Sequence, residues 1–379
     1  MRILIVIGTR PEAIKMAPVV EALRNHATPM EVRVCLSGQH RELVDEPIRT
    51  LGVPIHVDLD LMRADQSPTS FLSMLLTRIT DVIKDTAPDL VLVHGDTGTA
   101  AGAALGAVYC GVPVGHVEAG LRTYDKQAPF PEEINRRLTD VLADLYFAPT
   151  ELARKNLLSE RVADERIWVT GNTGIDALLG ISRTASLPAQ PDLVAACTTG
   201  RLVLVTAHRR ENFGERLKQV CTAIRQIVET HPDVQVVWPM HPNPRVRETV
   251  TAGLSNTPRV VICPALDYAE LVAVLKRAYL VLTDSGGIQE EASALHIPAL
   301  ILRECTERTE GIDAGCAKLV GCASYTILRE VTALLDSLAE RERMANAPCP
   351  YGDGHAAQRI ADSIADFFRA RTVATEISA

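Results

Sequence analysis

Ile3-Leu4-Ile5-Val6-Ile7 is an unbroken aliphatic run that stops at Gly8-Thr9-Arg10-Pro11-Glu12. A short, near-continuous apolar run suits a parallel strand covered on both faces. The glycine turn and Pro11, a residue suited to a first helical turn, predict a helix through about residue 25. The same unit recurs downstream. Residues 32–36 read as a strand. Residues 90–93 read as another, ending at His94-Gly95-Asp96 ahead of an Ala-rich helix, and residues 112–117 as a third, ending at Glu118-Ala119-Gly120. Strand, loop and helix in alternation predict a doubly wound α/β domain.

The pattern restarts after Ile167-Trp168-Val169-Thr170-Gly171-Asn172. Residues 183–200, with Pro188 and Pro191, read as loop. Strands are predicted at 202–206, 234–238, 260–263 and 280–283, each followed by helix-compatible sequence, which makes a second α/β domain. A last helix, about 356–370, follows the turn-rich Tyr351-Gly352-Asp353-Gly354. Two domains also fit the 379 residues, at roughly 100–200 residues each.

Composition narrows the function classes. Hydrophobic residues make up 47% and charged residues 23%, which excludes disorder across the chain. The net charge of −8 argues against a general nucleic-acid binder, whose affinity rests on phosphate contacts. The nine cysteines contain no C-x-x-C pair, so free thiols in a reducing compartment are expected rather than metal knuckles or a disulfide framework. The first apolar run is too short for a signal peptide, and no stretch approaches the roughly 20 apolar residues of a membrane span. The expectation is a soluble, cytoplasmic protein without nucleic-acid or membrane partners.

Ligands of open parallel sheets bind beyond the carboxyl ends of the strands. The residues just after the predicted strands are therefore site candidates: Arg10, Asp96, Glu118, His208-Arg209-Arg210-Glu211, His241 and Ser285-Gly286-Gly287. Their recurrence in both domains predicts an interdomain cleft for an anionic ligand. Gly8-Thr9-Arg10 and Lys15 suit an anion at a helix N-terminus. In Thr283-Asp284-Ser285-Gly286-Gly287-Ile288-Gln289-Glu290-Glu291, two glycines and a hydroxyl open a helix and form a phosphate cradle, with Glu291 about one turn in, where it can accept from ribose hydroxyls. The alternative is a plain N-cap by Asp284 or Ser285. The His-Arg-Arg run offers forked donors to a diphosphate and a proton shuttle in His208, or else a surface charge cluster. Glu132 and Glu133 open a predicted helix. Asp96 and Glu118 each end a buried strand, where an unpaired charge is costly without a task or a partner.

In this order the motifs Gly8-Thr9-Arg10-Pro11-Glu12-Ala13-Ile14-Lys15, Gly38-Gln39-His40-Arg41, Val93-His94-Gly95-Asp96-Thr97, Gly115-His116-Val117-Glu118-Ala119-Gly120-Leu121-Arg122-Thr123, Pro131-Glu132-Glu133-Ile134-Asn135-Arg136, Ala207-His208-Arg209-Arg210-Glu211-Asn212 and the 283–291 segment resemble the non-hydrolysing UDP-N-acetylglucosamine 2-epimerase family, over almost the whole chain. The resemblance implies two Rossmann-like domains of GT-B type: residues 1–170 with a returning C-terminal helix, about 355–379, and residues 171–354 as the UDP-binding half. It implies a homodimer that interconverts UDP-GlcNAc and UDP-ManNAc without metal or other cofactor, supplying surface polysaccharides. It implies catalytic roles for Asp96, Glu118, Glu132 and His208, and UDP or substrate binding by Arg10, Lys15, His208, Ser285, Gly286, Gly287, Glu291 and Arg308. It also implies a regulatory UDP-GlcNAc site at Gln39, Glu42, Arg63, Glu132, Arg209 and His241. Three positions depart from the family pattern: Glu42 stands where Gln is common, Pro242 where Leu is common, and Thr309 where Pro usually follows the Arg.

The chemistry can be reasoned separately. C2 of the sugar has no adjacent carbonyl to acidify its proton. Elimination across C1–C2, with UDP leaving as the proton comes off, avoids a free carbanion and gives 2-acetamidoglucal. Protonation from the other face and re-addition of UDP invert C2. Rival readings are a hydrolysing relative that releases ManNAc, an epimerase for a modified sugar nucleotide, a GT-B glycosyltransferase, and a non-enzymatic UDP-sugar sensor.

Overall fold

A computed structural model describes residues 1–379 except His40, Ala64, Asp65, Ala128, Glu307 and Ala379; the side chains of Arg41, Glu42, Leu43, Arg210 and residues 371–378 also lie outside the described set. The chain divides into two compact units, Met1–Ala177 with Gly352–Ala379, and Leu178–Tyr351.

Among the described residues, unit 1 contains a seven-stranded parallel sheet built from β1 (Arg2–Ile7), β2 (Glu31–Leu36), β3 (Val57–Asp58), β4 (Leu90–His94), β5 (Val114–Val117), β6 (Leu145–Ala148) and β7 (Ile167–Val169). The spatial order is 3-2-1-4-5-6-7. The direction of winding therefore reverses between β1 and β4, the place where such sheets open a crevice for ligands. Ile3 to Ile7 are fully buried because helices cover both faces. One of these is the last helix, Ala356–Ser378, whose Ala357, Ile360, Ala361 and Ile364 pack with Ile3, Ile5 and Ile7. Its first turn is capped by Asp176, which accepts from Ala356 N at 3.2 Å and Ala357 N at 2.8 Å.

The β1 exit is tightly packed. A Cβ on Gly8 would lie 2.1 Å from Thr99 Oγ1 and 2.7 Å from Ser37 Oγ, two hydroxyls that bond each other at 2.8 Å. Gly8→Ala is accordingly expected to cost about 1–3 kcal/mol by overpacking, lowering Tm by about 2–4 °C per kcal/mol. A melting curve unchanged from wild type would show that the loop yields freely.

Unit 2 repeats the design with β8 (Arg201–Thr206), β9 (Val234–Met240), β10 (Val260–Pro264), β11 (Ala278–Thr283), β12 (Ala299–Ile301) and β13 (Ala317–Leu319), in the order 10-9-8-11-12-13 among the described residues. Its winding reverses between β8 and β11. One expectation is corrected here. The 183–200 segment, read as loop, contains the helix Pro191–Thr198, with Pro191 in its first turn and Leu193, Ala196 and Cys197 buried. Proline is at home there because the first helical N–H has no partner to lose. Each unit is a doubly wound, Rossmann-like α/β fold. No helix among the described residues is long and apolar enough to cross a membrane.

Candidate active site

At the β1/β4 reversal of unit 1, the buried carboxylate of Glu12 staples two strand exits. It accepts from Gly8 N at 3.0 Å, Thr9 N at 2.7 Å and Thr9 Oγ1 at 2.8 Å on the β1 side, and from Thr97 Oγ1 at 2.7 Å on the β4 side. Burial raises its carboxyl above the usual range against the pull of these hydrogen bonds and of His94. Sequence reasoning saw Glu12 only as part of a motif. The capping-box spacing of Thr9 and Glu12 was the available signal.

Glu118 follows β5 and is ion-paired with Lys15. His94 Nε2 lies 3.5 Å from its Oε2, and Asn172 Nδ2 donates to the same oxygen at 3.3 Å. A Cβ on Gly95 would stand 4.0 Å from Glu118 Oε1, so this carboxylate lies beside the residue that precedes Asp96. Asp96 pairs with Arg136, and its carbonyl accepts from Asn135 Nδ2 at 3.0 Å. Both strand-end charges thus have cationic partners, and the cost of burying them is met locally. One turn before Arg136, on the helix Glu132–Leu142, Glu132 Oε2 is buried with no hydrogen-bond partner among the described residues. A buried carboxylate oxygen left without a donor is unusual and marks a place for an incoming one. His94, Asn172 and Arg136 belong to this cluster but carried no role in the sequence reading. Their partners are distant in sequence and only the fold brings them close.

Arg10 lies 3.7 Å from Glu46. Gln39 Oε1 accepts from Thr99 N at 3.1 Å and Thr99 Oγ1 at 2.7 Å, which ties it to the start of the helix Gly98–Tyr109. Arg63 donates to the carbonyls of Asp60 at 2.7 Å and Met62 at 2.8 Å and is otherwise exposed. The β2 exit carries both segments, through Leu61 N donating to Ser37 O at 3.1 Å. The Glu42 side chain lies outside the described residues.

In unit 2 the β8/β11 reversal is stapled by Asp284, which is fully buried. Its carboxylate accepts from His208 N at 2.9 Å, Arg209 N at 2.9 Å and Asn212 Nδ2 at 2.9 Å, and lies 3.2 Å from His208 Nδ1. Burial pushes this carboxyl up, but the His208, Arg209 and Asn212 hydrogen bonds outweigh it and hold the group below the usual carboxylate range. The N-cap alternative is corrected in part. Ser285 is the N-cap residue of the helix Gly286–Ala294, yet its side chain makes no capping bond, and Asp284 reaches back to the β8 loop. An ionised partner at Nδ1 fixes that proton on His208 and leaves Nε2 for proton traffic.

The ring of His241 stacks on that of His208, 5.4 Å between centroids. Burial, then His208, lowers its basicity, and Nδ1 accepts from Asn243 N at 3.1 Å. Arg209 Nε donates to Asp284 O at 3.1 Å. At the opening of the Gly286 helix, Arg308 lies over Gly286, where a Cβ would be 3.0 Å from Cζ, and donates to Glu290 Oε1 at 3.0 Å. Glu291 Oε1 accepts from Tyr268 OH at 3.0 Å. The Ser285-Gly286-Gly287 backbone is the positive end of this helix and sits beside a guanidinium, an arrangement suited to a diphosphate. Thr309 begins the helix Thr309–Asp313, the position that a proline also suits.

The comparisons with known proteins agree in direction. The family model described as UDP-N-acetylglucosamine 2-epimerase matches residues 21–365. The UDP-N-acetylglucosamine 2-epimerase of Yersinia pestis is 46% identical over 369 residues, covering 95% of this chain and 97% of that protein. That of Escherichia coli K12 is 44% identical, covering 96% and 98%. The crystal structure of UDP-GlcNAc 2-epimerase from Neisseria meningitidis bound to UDP-GlcNAc superposes with a TM-score of 0.88 at 41% identity, covering 97% of this chain and all of that one.

Proposed function

The chain belongs to the UDP-N-acetylglucosamine 2-epimerase family, and from that premise we propose that it converts UDP-GlcNAc and UDP-ManNAc into one another without hydrolysis, by elimination and re-addition of UDP. The observation that carries this reading is the pair of carboxylates beyond β4 and β5, Asp96 and Glu118, each ion-paired, with Glu132 Oε2 on the adjoining helix buried and without a hydrogen-bond partner among the described residues. In the forward step a carboxylate takes the C2 proton. The C–H electrons become the C1=C2 bond, and the C1–O bond breaks with its electron pair leaving on UDP. In the return step a second acid delivers a proton to the opposite face, and UDP oxygen re-forms the bond to C1. Asp96, Glu118 and Glu132 are the proton carriers in this reading. His208, held by Asp284, serves the leaving diphosphate together with Arg10, Lys15, Arg308 and the Ser285-Gly286-Gly287 helix end. Glu291 serves the ribose.

The test is proton NMR of the purified protein with UDP-GlcNAc in D₂O. UDP-ManNAc carrying deuterium at C2, with the UDP linkage retained, is the expected product. Free ManNAc with UDP would replace this reading by the hydrolysing one. An unchanged substrate would leave the modified-sugar and transferase readings ahead.

Regulation by a second UDP-GlcNAc is part of the proposal, with Gln39, Glu42, Arg63, Glu132, Arg209 and His241 as its contacts. Gln39 also anchors a helix start, so Arg63 is the cleaner probe. Arg63→Ala is expected to leave Tm within about 1–2 °C, as for a surface change, while a substrate–velocity curve loses its activation by UDP-GlcNAc. A curve identical to wild type would remove Arg63 from that site. The family premise also carries a cytoplasmic location, a role in supplying surface polysaccharides and a homodimer. Support for the dimer is the exposed stripe Ile134, Leu138 and Val141 on the Glu132–Leu142 helix, at the i, i+4, i+7 spacing of a packing face. A sedimentation mass of one chain would exclude the dimer.

A further inference from the structure

Among the described residues of unit 1, the chemistry above leaves unused a charge cluster whose His116 and Asp140 are buried. His116, on β5, has both ring nitrogens engaged: Nδ1 lies 2.6 Å from Asp140 Oδ1, and Nε2 lies 2.8 Å from the carbonyl oxygen of Gly95. Asp140 Oδ2 in turn accepts from Arg122 at 2.7 Å and from Gly120 N at 3.2 Å. Arg122 forks onto Glu160 at 2.8 and 2.7 Å. Burial pushes the Asp140 carboxyl up, but His116 and Arg122 outweigh it and hold it below its ordinary range. With the Arg122 guanidinium and Gly120 N both donating to it, Asp140 stands as an acceptor toward His116, and the Gly95 carbonyl can only accept. Each ring nitrogen of His116 therefore faces an acceptor, and both contacts are met together only when both nitrogens donate. Arg122 thus bridges the buried Asp140 and the partly exposed Glu160, so the buried carboxylate has a charged partner as well as the histidine.

What the cluster grips is the backbone around both strand-end carboxylates. Gly95 immediately precedes Asp96. His116 and Gly120 flank Glu118 by two residues on either side. Glu118 itself has φ +66, the left-handed region that a side chain with a Cβ enters only under strain. Such strain persists only where the surroundings over-determine it. Gly120 has φ +84, and a Cβ there would meet Ala153 O at 2.4 Å, so the turn beyond Glu118 is also closed to other residues. We propose that His116 and Asp140 are positioning residues, an imidazolium–carboxylate strap that sets the spacing between Asp96 and Glu118. A neutral ring has one N–H and would release either the Gly95 carbonyl or Asp140.

The inference rests on the reading of Asp96 and Glu118 as proton carriers, and its test separates the two. Nitrogen-15 NMR of the histidine-labelled wild-type protein is expected to show protons on both His116 ring nitrogens. A single protonated nitrogen would overturn the strap whatever the enzyme does. His116→Gln and Asp140→Asn, each checked for a native circular dichroism spectrum, are expected to lose about 10²-fold in kcat, the scale of a 1 Å misplacement, with KM for UDP-GlcNAc within about 3-fold. The double variant is expected to be no slower than the slower single, because the two act as one unit. Folded variants that keep kcat within about 3-fold, or whose losses multiply and fall equally on KM, would overturn the proposal. A wild-type protein that leaves UDP-GlcNAc unchanged would sink the functional reading, while the nitrogen measurement would still decide the strap.

Discussion

Asp96→Asn and Glu118→Gln are each expected to lower kcat at least about 10³-fold while UDP affinity stays within about 3-fold. Proton transfer by a positioned group is worth roughly 10²–10⁴-fold, and an amide of the same shape cannot take or give the C2 proton. The UDP-binding groups proposed in unit 2 are untouched by either change, and Lys15 keeps its charge for the diphosphate when Glu118 becomes Gln. Each substitution also leaves a cation behind, Arg136 in the first case and Lys15 in the second. Both pairs are largely buried, so a fall in Tm should accompany the loss, and kinetics belong well below the melting range. The measurements are NMR turnover assays and calorimetric UDP titration. Following deuterium wash-in from each epimer separately adds a second result. The carboxylate that serves one face should, when replaced, suppress exchange from the matching epimer more than from the other. Wild-type turnover in either variant would remove that residue from the proton path.

Much of this was legible in the sequence, for identifiable reasons. β1 and β4 are short apolar runs ended by glycine turns, a pattern that local sequence sets and tertiary contacts merely bury. β3, β6, β7, β12 and β13 escaped because strands of two to four residues, such as Ala299–Ile301, carry too little pattern to separate from helix ends. The helix Pro191–Thr198 escaped because proline was weighed as a breaker, although it suits a first turn. At the site, the residues just beyond the strands were found because the fold rule itself points there. The groups that hold them were not. Arg136 reaches Asp96 across 40 residues, and Asp284 reaches the β8 loop across more than 70. Nothing local distinguishes such a carboxylate from a helix cap. The parallel between Glu12 in unit 1 and Asp284 in unit 2, each stapling the two strand exits at its sheet's reversal, emerges only from the hydrogen bonds.

Asp284→Asn is expected to cost about 3–5 kcal/mol, the scale of breaking a buried charge interaction, or a fall in Tm of about 10 °C or more. The substituted amide turns its NH₂ toward donors: two backbone N–H groups, the Asn212 amide and His208 Nδ1 can no longer all be satisfied. The same change should lower kcat about 10²-fold, because His208 loses the partner that orients its ring. The pH dependence gives the independent check. The native carboxyl lies below its unfolded value of about 3.9, so its stabilisation is present in full above that pH and is lost as pH falls through the native value. The Tm gap between wild type and Asp284→Asn should therefore be widest near neutrality and close as the pH drops below about 4. A gap that stays constant down to pH 3 would mean that Asp284 stabilises unit 2 by shape alone and that its charge is not what holds the His208 loop.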